Sequence, residues 1–294
     1  MKSHAPKVFN GAKLLGVFQN GSPEWHEARA DGIGGSEIGT IMGLNPWESP
    51  YYLWATKTGK IAPKELNSFA VRLGQVLEPV ILETLLPDQH FDWEIFTTGT
   101  YQHKTIPYLH ANPDALAKVN GEWVIVEVKT SRNYWDEVPP QYVAQVQHYM
   151  NVMRIPRAVI VGLVGMDWVE HWIEADDFEH AVMEQKAKEF WARVVNDTAP
   201  DWDGSESTYN AVREMHPDID GTEIEIEGAH LLTLAQAKFD KAEAELREIK
   251  SAIMASMGKA QHAYVEVYGE KIRVASRQSR NGSRPFLVVH KGKK

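Results

Sequence analysis

The sequence has no cysteine. That excludes disulfide staples, thiol catalysis, thiolate-bound zinc and thiolate-held iron–sulfur clusters. It also has no apolar run of the roughly 18–20 residues that a bilayer-crossing helix needs. Met1 to Asn20 has no long apolar stretch ending in a small-residue cleavage site. Neither a membrane span nor a secretory leader is expected, and the expected location is the cytoplasm. There is no internal repeat and no low-complexity block. Positive charge is in short supply: 31 Lys+Arg stand against 40 Asp+Glu, a formal charge of -9. As a bulk property this weighs against a protein that coats nucleic acid by charge alone. The remainder is ordinary globular material, 43% hydrophobic and 24% charged over 294 residues. That is room for one large domain, or for one domain with an appendage.

The charge is unevenly placed. Residues 201–228 hold nine acids and one base, while residues 229–294 hold thirteen bases and six acids. The acidic stretch, punctuated by Gly204, Pro217 and Gly221, reads as a linker. It would join a body over 1–200 to an appendage over 229–294.

In the body, Pro23–Arg29 and Ser36–Met42 read as short helices joined by a glycine-rich turn, with Ser36 as N-cap. Ser49–Lys57 reads as a third helix, and 70–86 as a longer one with a defect at Pro79. Short strands follow at Trp93–Phe96 and Thr100–His103. Residues 139–153 and Asp176–Val195 read as helices, and Ala158–Val164 and Trp168–Ile173 as strands. Helices flanking a central β segment give an α/β core. In the appendage, Leu231, Ala235, Phe239, Ala242, Leu246, Ile249 and Ile253 recur at three- and four-residue spacing, one apolar stripe on a helix over 229–257. A second hairpin around Gly269-Glu270 and a basic end (Arg273, Arg277, Arg280, Arg284, Lys291, Lys293, Lys294) complete the chain. That end either contacts phosphates or is a solvated tail.

The clearest local signal is Asn120-Gly121 between Ala115–Val119 and Glu122–Lys129. This pair favours a two-residue type I′ hairpin. In that register Lys118 faces Trp123 and Asp114 faces Glu127, so two carboxylates share one side of the sheet. Val124, Val126 and Val128 point the other way, and Lys129 returns to the carboxylate side. Two adjacent anions repel, and a divalent cation held by oxygen ligands relieves the conflict. The pair fits metal-assisted phosphodiester hydrolysis; it also fits a solvated hairpin face of alternating charge.

Asn112-Pro113-Asp114 with Glu127-Val128-Lys129 resembles the PD-(D/E)XK nuclease signature. Flanking residues narrow the likeness. Trp25-His26-x-x-Arg29, Gly34-Gly35-Ser36-Glu37-Ile38, Gly43-Leu44-Asn45-Pro46-Trp47, Ser49-Pro50-Tyr51, Lys57-Thr58-Gly59, Gly74-x-x-x-Glu78-Pro79 and Tyr142-Val143-Ala144-Gln145-Val146-Gln147 run in the order of the lambda exonuclease and YqaJ-type viral recombinase family.

The resemblance implies a restriction-endonuclease-like core, a central mixed sheet flanked by helices. It also implies a phage-type 5′-to-3′ exonuclease in a bacterial host, acting on double-stranded DNA ends to leave 3′ overhangs. The cofactor would be Mg²⁺, with Mn²⁺ as substitute and no iron–sulfur cluster. The partner would be a single-strand annealing protein, and the assembly a homo-oligomer, a trimeric ring.

By the same resemblance Asp114, Glu127 and the Val128 carbonyl are metal ligands, with Glu78 completing the site and Glu83 its competitor. Lys129 positions or activates the attacking water. Gln145, with Gln147 next in line, holds the water or the scissile phosphate, and Tyr142 faces the same cleft. Arg29 and Ser36 grip the 5′-phosphate. A helix start with free N–H groups and a bidentate arginine suits that task without any analogy. His26 reads as packing on Trp25, and His110 and His148 as core or cleft-edge residues. Two alternatives stay open, an endonuclease of the same superfamily and a non-catalytic DNA-end-binding scaffold.

Overall fold

Asn120 and Gly121 take φ of 52° and 85°, and the hairpin they close is the centre of the fold. The computed structural model describes residues 3–19, 21–64, 68–280 and 282–290. The chain divides into two compact units, Met1–Asp218 and Ile219–Lys294.

In chain order the first unit contains strands β1 (Ser3–His4) and β2 (Ala12–Gly16), then helices α1 (Pro23–Ala30), α2 (Gly35–Ile41), α3 (Pro50–Lys57) and α4 (Phe69–Val80). A π turn at Ile81–Leu85 runs into α5 (Leu86–Gln89). Strands β3 (Glu94–Thr97), β4 (Thr100–His103), β5 (His110–Ala111), β6 (Ala115–Val119) and β7 (Glu122–Ser131) lead to α6 (Pro140–Met153). Then come β8 (Arg157–Val164), β9 (Asp167–Glu174), α7 (Asp177–Val195) and α8 (Glu206–Met215).

Six strands form one mixed sheet in the order β1-β3-β6-β7-β8-β9. The hairpin register is the one the Asn-Gly turn dictates: Val119 faces Glu122, Lys118 faces Trp123 and Ala115 faces Val126. β8 lies parallel to β7, so α6 is the crossover between them. Both faces of β7 are covered. Val124, Val126 and Val128 pack with Ile81, Leu82 and Leu86. Ile125 packs on the other side with Ile38 of α2 and Ala144 and Val146 of α6. A smaller antiparallel sheet, β2-β4-β5, lies in the same unit.

Local chemistry sets the helix starts. Ser22 and Ser49 cap α1 and α3, with proline at the next position. Asp176 caps α7 by accepting from the N–H groups of Phe178 and Glu179. The expected cap at Ser36 is displaced. Gly34 is the N-cap of α2, because the Glu37 carboxylate accepts the Gly34 N–H at 2.9 Å. Ser36 is then an exposed residue of the first turn. Pro79 does not break its helix, and the irregularity appears just beyond it as the π turn.

Two more features depart from the sequence reading. The acidic stretch contains α8, whose Thr208 hydroxyl donates to Ser49 Oγ at 2.8 Å and whose Ala211 is buried. The second unit has a 28-residue helix α9 (His230–Met257), then β10 (His262–Val267) and β11 (Glu270–Gln278). Instead of ending in a hairpin and tail, it adds β12 (Phe286–Val289), paired with β11, to make a three-stranded sheet. Lys291, Lys293 and Lys294 lie outside the described residues.

Candidate active site

Asp114 stands one residue before β6, and continuing the ladder places it opposite Glu127. Its Oδ2 accepts the Val128 N–H at 2.7 Å, which fixes the carboxylate against β7. Glu127 is 2% exposed. Its Oε1 accepts from Lys129 Nζ and from Gln145 Nε2, both at 2.6 Å. Its Oε2 is buried and has no hydrogen-bond partner among the described residues. Lys129 also lies 4.9 Å from the centroid of the Tyr142 ring, a cation–π contact. Tyr142 and Gln145 are three residues apart on α6 and reach the same group of side chains, Lys129 and Glu127.

Glu78, on α4, acts on this group through charge. Burial, then the charge of Asp114, raises its carboxyl to about 7, with Lys129 opposing. Burial, then Asp114, pushes Glu127 to about 8. Asp114 is raised by burial as well, against the pull of Lys129 and the Val128 N–H. Burial alone would lower Lys129, but Glu127 and Asp114 outweigh it and hold the ammonium form. Among the described residues three carboxyls thus share one lysine, an excess of negative charge around the buried Glu127.

Among the described residues no three His, Asp or Glu side chains form a ready-made metal cage. The residues nonetheless suit a hard cation. The orphaned Glu127 oxygen lacks a positive partner, and Asp114, Glu127 and the Val128 carbonyl offer oxygen donors, with Glu78 as a further acid. His110 and His148 do not compete for that role. His110 Nε2 lies 3.0 Å from the Pro107 carbonyl, and His148 Nε2 lies 3.0 Å from the His110 carbonyl and 3.2 Å from that of Ile33. His26 packs edge-on to Trp25.

A second charged cluster sits at the start of α2. Buried Glu37 pairs with Arg29 at 3.1 Å and with Lys57 at 3.0 Å. Lys57 also donates to the carbonyls of Arg29 and Gly32, so all three of its protons are used. Burial pushes Glu37 up, but Lys57 and Arg29 more than reverse this and hold it low. Arg29 is half exposed, at 43% of its side chain. Ser36 is exposed in the same turn.

Tyr149 connects the two places, a role that sequence reasoning missed. Its hydroxyl accepts from Gln145 Nε2 at 3.0 Å. Its ring lies so close to Gly35 that a Cβ there would approach to 2.3 Å. The available signal was spacing, since Gln145 and Tyr149 are one helical turn apart. Lys57 and Glu37 both stand in the family-like motifs, but their pairing was missed, because twenty residues separate them.

Comparison with known proteins follows from this geometry. Residues 24–155, which contain every residue of both clusters, match the YqaJ-like viral recombinase domain. The family likeness carried by the motifs is therefore upheld. The chain is 28% identical over 270 residues to protein YqaJ of Bacillus subtilis, covering 83% of this chain and 81% of that one. Protein D345L of African swine fever virus matches at 28% over 155 residues, 44% of this chain and 45% of the viral protein. In structure, the chain resembles an alkaline exonuclease of Laribacter hongkongensis, TM-score 0.50 at 21% identity, covering 60% of this chain and 94% of that one. The same enzyme in complex with dAMP gives 0.51. The structural likeness is one of fold. No helix among the described residues is long and apolar enough to cross a membrane.

Proposed function

We propose that this chain is a metal-dependent deoxyribonuclease that digests one strand of linear duplex DNA from its 5′ end, leaving 3′ overhangs for strand annealing. The observation that carries the reading is the division of Glu127. One oxygen is gripped by Lys129 and Gln145, and the other is buried without a partner among the described residues, inside an excess of carboxyls. That is a poor way to stabilise a sheet and a good way to hold a divalent cation.

Asp114, Glu127 and the Val128 carbonyl would hold Mg²⁺, or Mn²⁺ in its place, with Glu78 as a further acid. Bound there, the ion supplies Lewis acidity toward a phosphodiester. Lys129, kept protonated by its carboxylates, orients the attacking water and offsets charge on the phosphate, and does not act as the base. Gln145 keeps its amide toward the same point, fixed between Glu127 and the Tyr149 hydroxyl. Arg29 and the first turn of α2, with Ser36, receive the 5′-phosphate through a guanidinium and free N–H groups. The complex of the Laribacter exonuclease with dAMP supports a deoxynucleotide product. A ring of copies and an annealing-protein partner belong to the same reading, by family likeness.

The test is cleavage of linear duplex with Mg²⁺, with and without a 5′-phosphate. Loss of one strand from the 5′ end, faster with the phosphate, is expected. Equal attack on covalently closed circles would replace the exonuclease with an endonuclease. End binding without any cleavage would leave a scaffold.

A further inference from the structure

The helix α9 carries an apolar stripe that its own unit leaves uncovered. Leu232, Phe239, Leu246 and Ile249 are 77%, 64%, 46% and 57% exposed. Along this 28-residue helix Met257 is the one buried residue. A surface helix normally hides such a stripe, because the apolar face is what stabilises it.

The stripe follows a seven-residue repeat with two lines. Phe239, Leu246 and Ile253 form the large line, and Ala235, Ala242 and Ile249 the mostly small one. Lys238 and Glu245 flank the stripe on one side, Glu243 and Lys250 on the other. We propose that α9 pairs antiparallel with α9 of a second copy of this chain. Phe239 then lies opposite Ile249 of the second copy, Leu246 opposite Ala242, and Ile253 opposite Ala235.

Two features of α9 select this partner and this direction. The first is charge. In the antiparallel register Lys238 meets Glu245 of the second copy and Glu243 meets Lys250, with no like charges facing. Within one chain Glu243 and Glu245 make exposed pairs with Arg247 and Lys241, while among the described residues Lys238 and Lys250 have no ion pair. The second copy supplies what those two lysines lack. The second feature is size. Antiparallel pairing sets a small residue against a large one in the Leu246 and Ile253 layers, which keeps the helix spacing even. Parallel pairing would alternate alanine on alanine with phenylalanine on phenylalanine, and two rods at a constant 8–10 Å separation accommodate that poorly.

This inference stands apart from the nuclease reading, and activity is not its readout. The absence of native cysteine makes cross-linking clean. Phe239→Cys and Ile249→Cys are made separately in the full chain, and diamide is added to each alone and to the mixture. A disulfide-linked dimer is expected in the mixture, at least ten-fold weaker in either variant alone. In the antiparallel pair the same position on two copies is about 15 Å apart, at 1.5 Å per residue, beyond disulfide reach. Equal linkage of each variant with itself would overturn the antiparallel pair, and no linkage in any tube would overturn the pairing itself. Leu246→Lys, on the exposed face, is expected to halve the mass measured by light scattering. An unchanged mass would also refute the proposal.

Discussion

Two clusters of buried charge lie in the body, and they are balanced in opposite ways. At the start of α2, one carboxylate, Glu37, meets two cations and a backbone N–H, and its carboxyl is held low. At the end of β7, three carboxyls share Lys129, and each is pushed up. The first cluster is complete within the chain and fastens α1, α2 and α3 together. The second holds more carboxyls than cations, and on the proposed reading a divalent cation makes up the difference. Burial alone does not distinguish the two clusters; the local balance of charge does.

The largest effect should fall on the unbalanced cluster. Glu127→Gln and Lys129→Ala should each slow cleavage of linear duplex by ~10³-fold or more. The melting temperature of Glu127→Gln should hold or rise, since a buried charge in excess is removed. Unchanged turnover in either variant would dissolve the contrast.

Next comes the balanced cluster, where the effect reverses. Lys57→Met should destabilise the fold by about 3–5 kcal/mol in denaturant melts, because it strands a buried carboxylate and two carbonyls. A loss below ~1 kcal/mol would show that Glu37 is already solvated.

Acid tests the floor beneath that cluster. His148 is buried against the Ile33 and His110 carbonyls, and burial drives it down to about 4. The unfolded chain takes up its proton first, so stability is full above about pH 6.5 and falls as pH drops toward 4. The total loss is about 3 kcal/mol at 1.36 kcal/mol per unit. His148→Gln should flatten that limb of the stability–pH curve, and an unaltered limb would assign the loss to other groups.

The smallest stability change belongs to Arg29→Ala. Its half-exposed ion pair is worth less than about 1 kcal/mol, yet the preference for a 5′-phosphate should drop. An intact preference would take Arg29 out of end recognition and leave it a strut for Glu37.

Much of this was legible in the chain because the signals were short-range. Asn120-Gly121 fixed a register, and the register put Asp114 across from Glu127. Pro23, Ser49 and Asp176 marked helix starts that the structure keeps. What escaped depended on distance or on competition. Lys57 and Glu37 meet only in the folded state. Ser36 looked like a cap until Glu37, three residues past Gly34, claimed the start of α2. Helix α8 was hidden by its acidic surroundings, although Thr208 and Ala211 form a buried face. β12 was masked by the basic residues around it, and its pairing with β11 shows only in three dimensions.

The π turn after Pro79 has a consequence for how the chain tolerates length changes. A π turn is an α-helix with one residue in excess. It lies between Glu78 and Leu86, and its own Ile81 and Leu82 pack with Leu86 against the sheet. Deleting one residue between 83 and 85 would let the rod run straight, with Leu86 still able to dock. Everything upstream would then turn by about 100°, the angle per residue of a 3.6-residue helix, and Glu78 would swing off the cleft. The bulge thus acts as a phase shifter, letting one helix satisfy two faces that a regular winding would hold out of step.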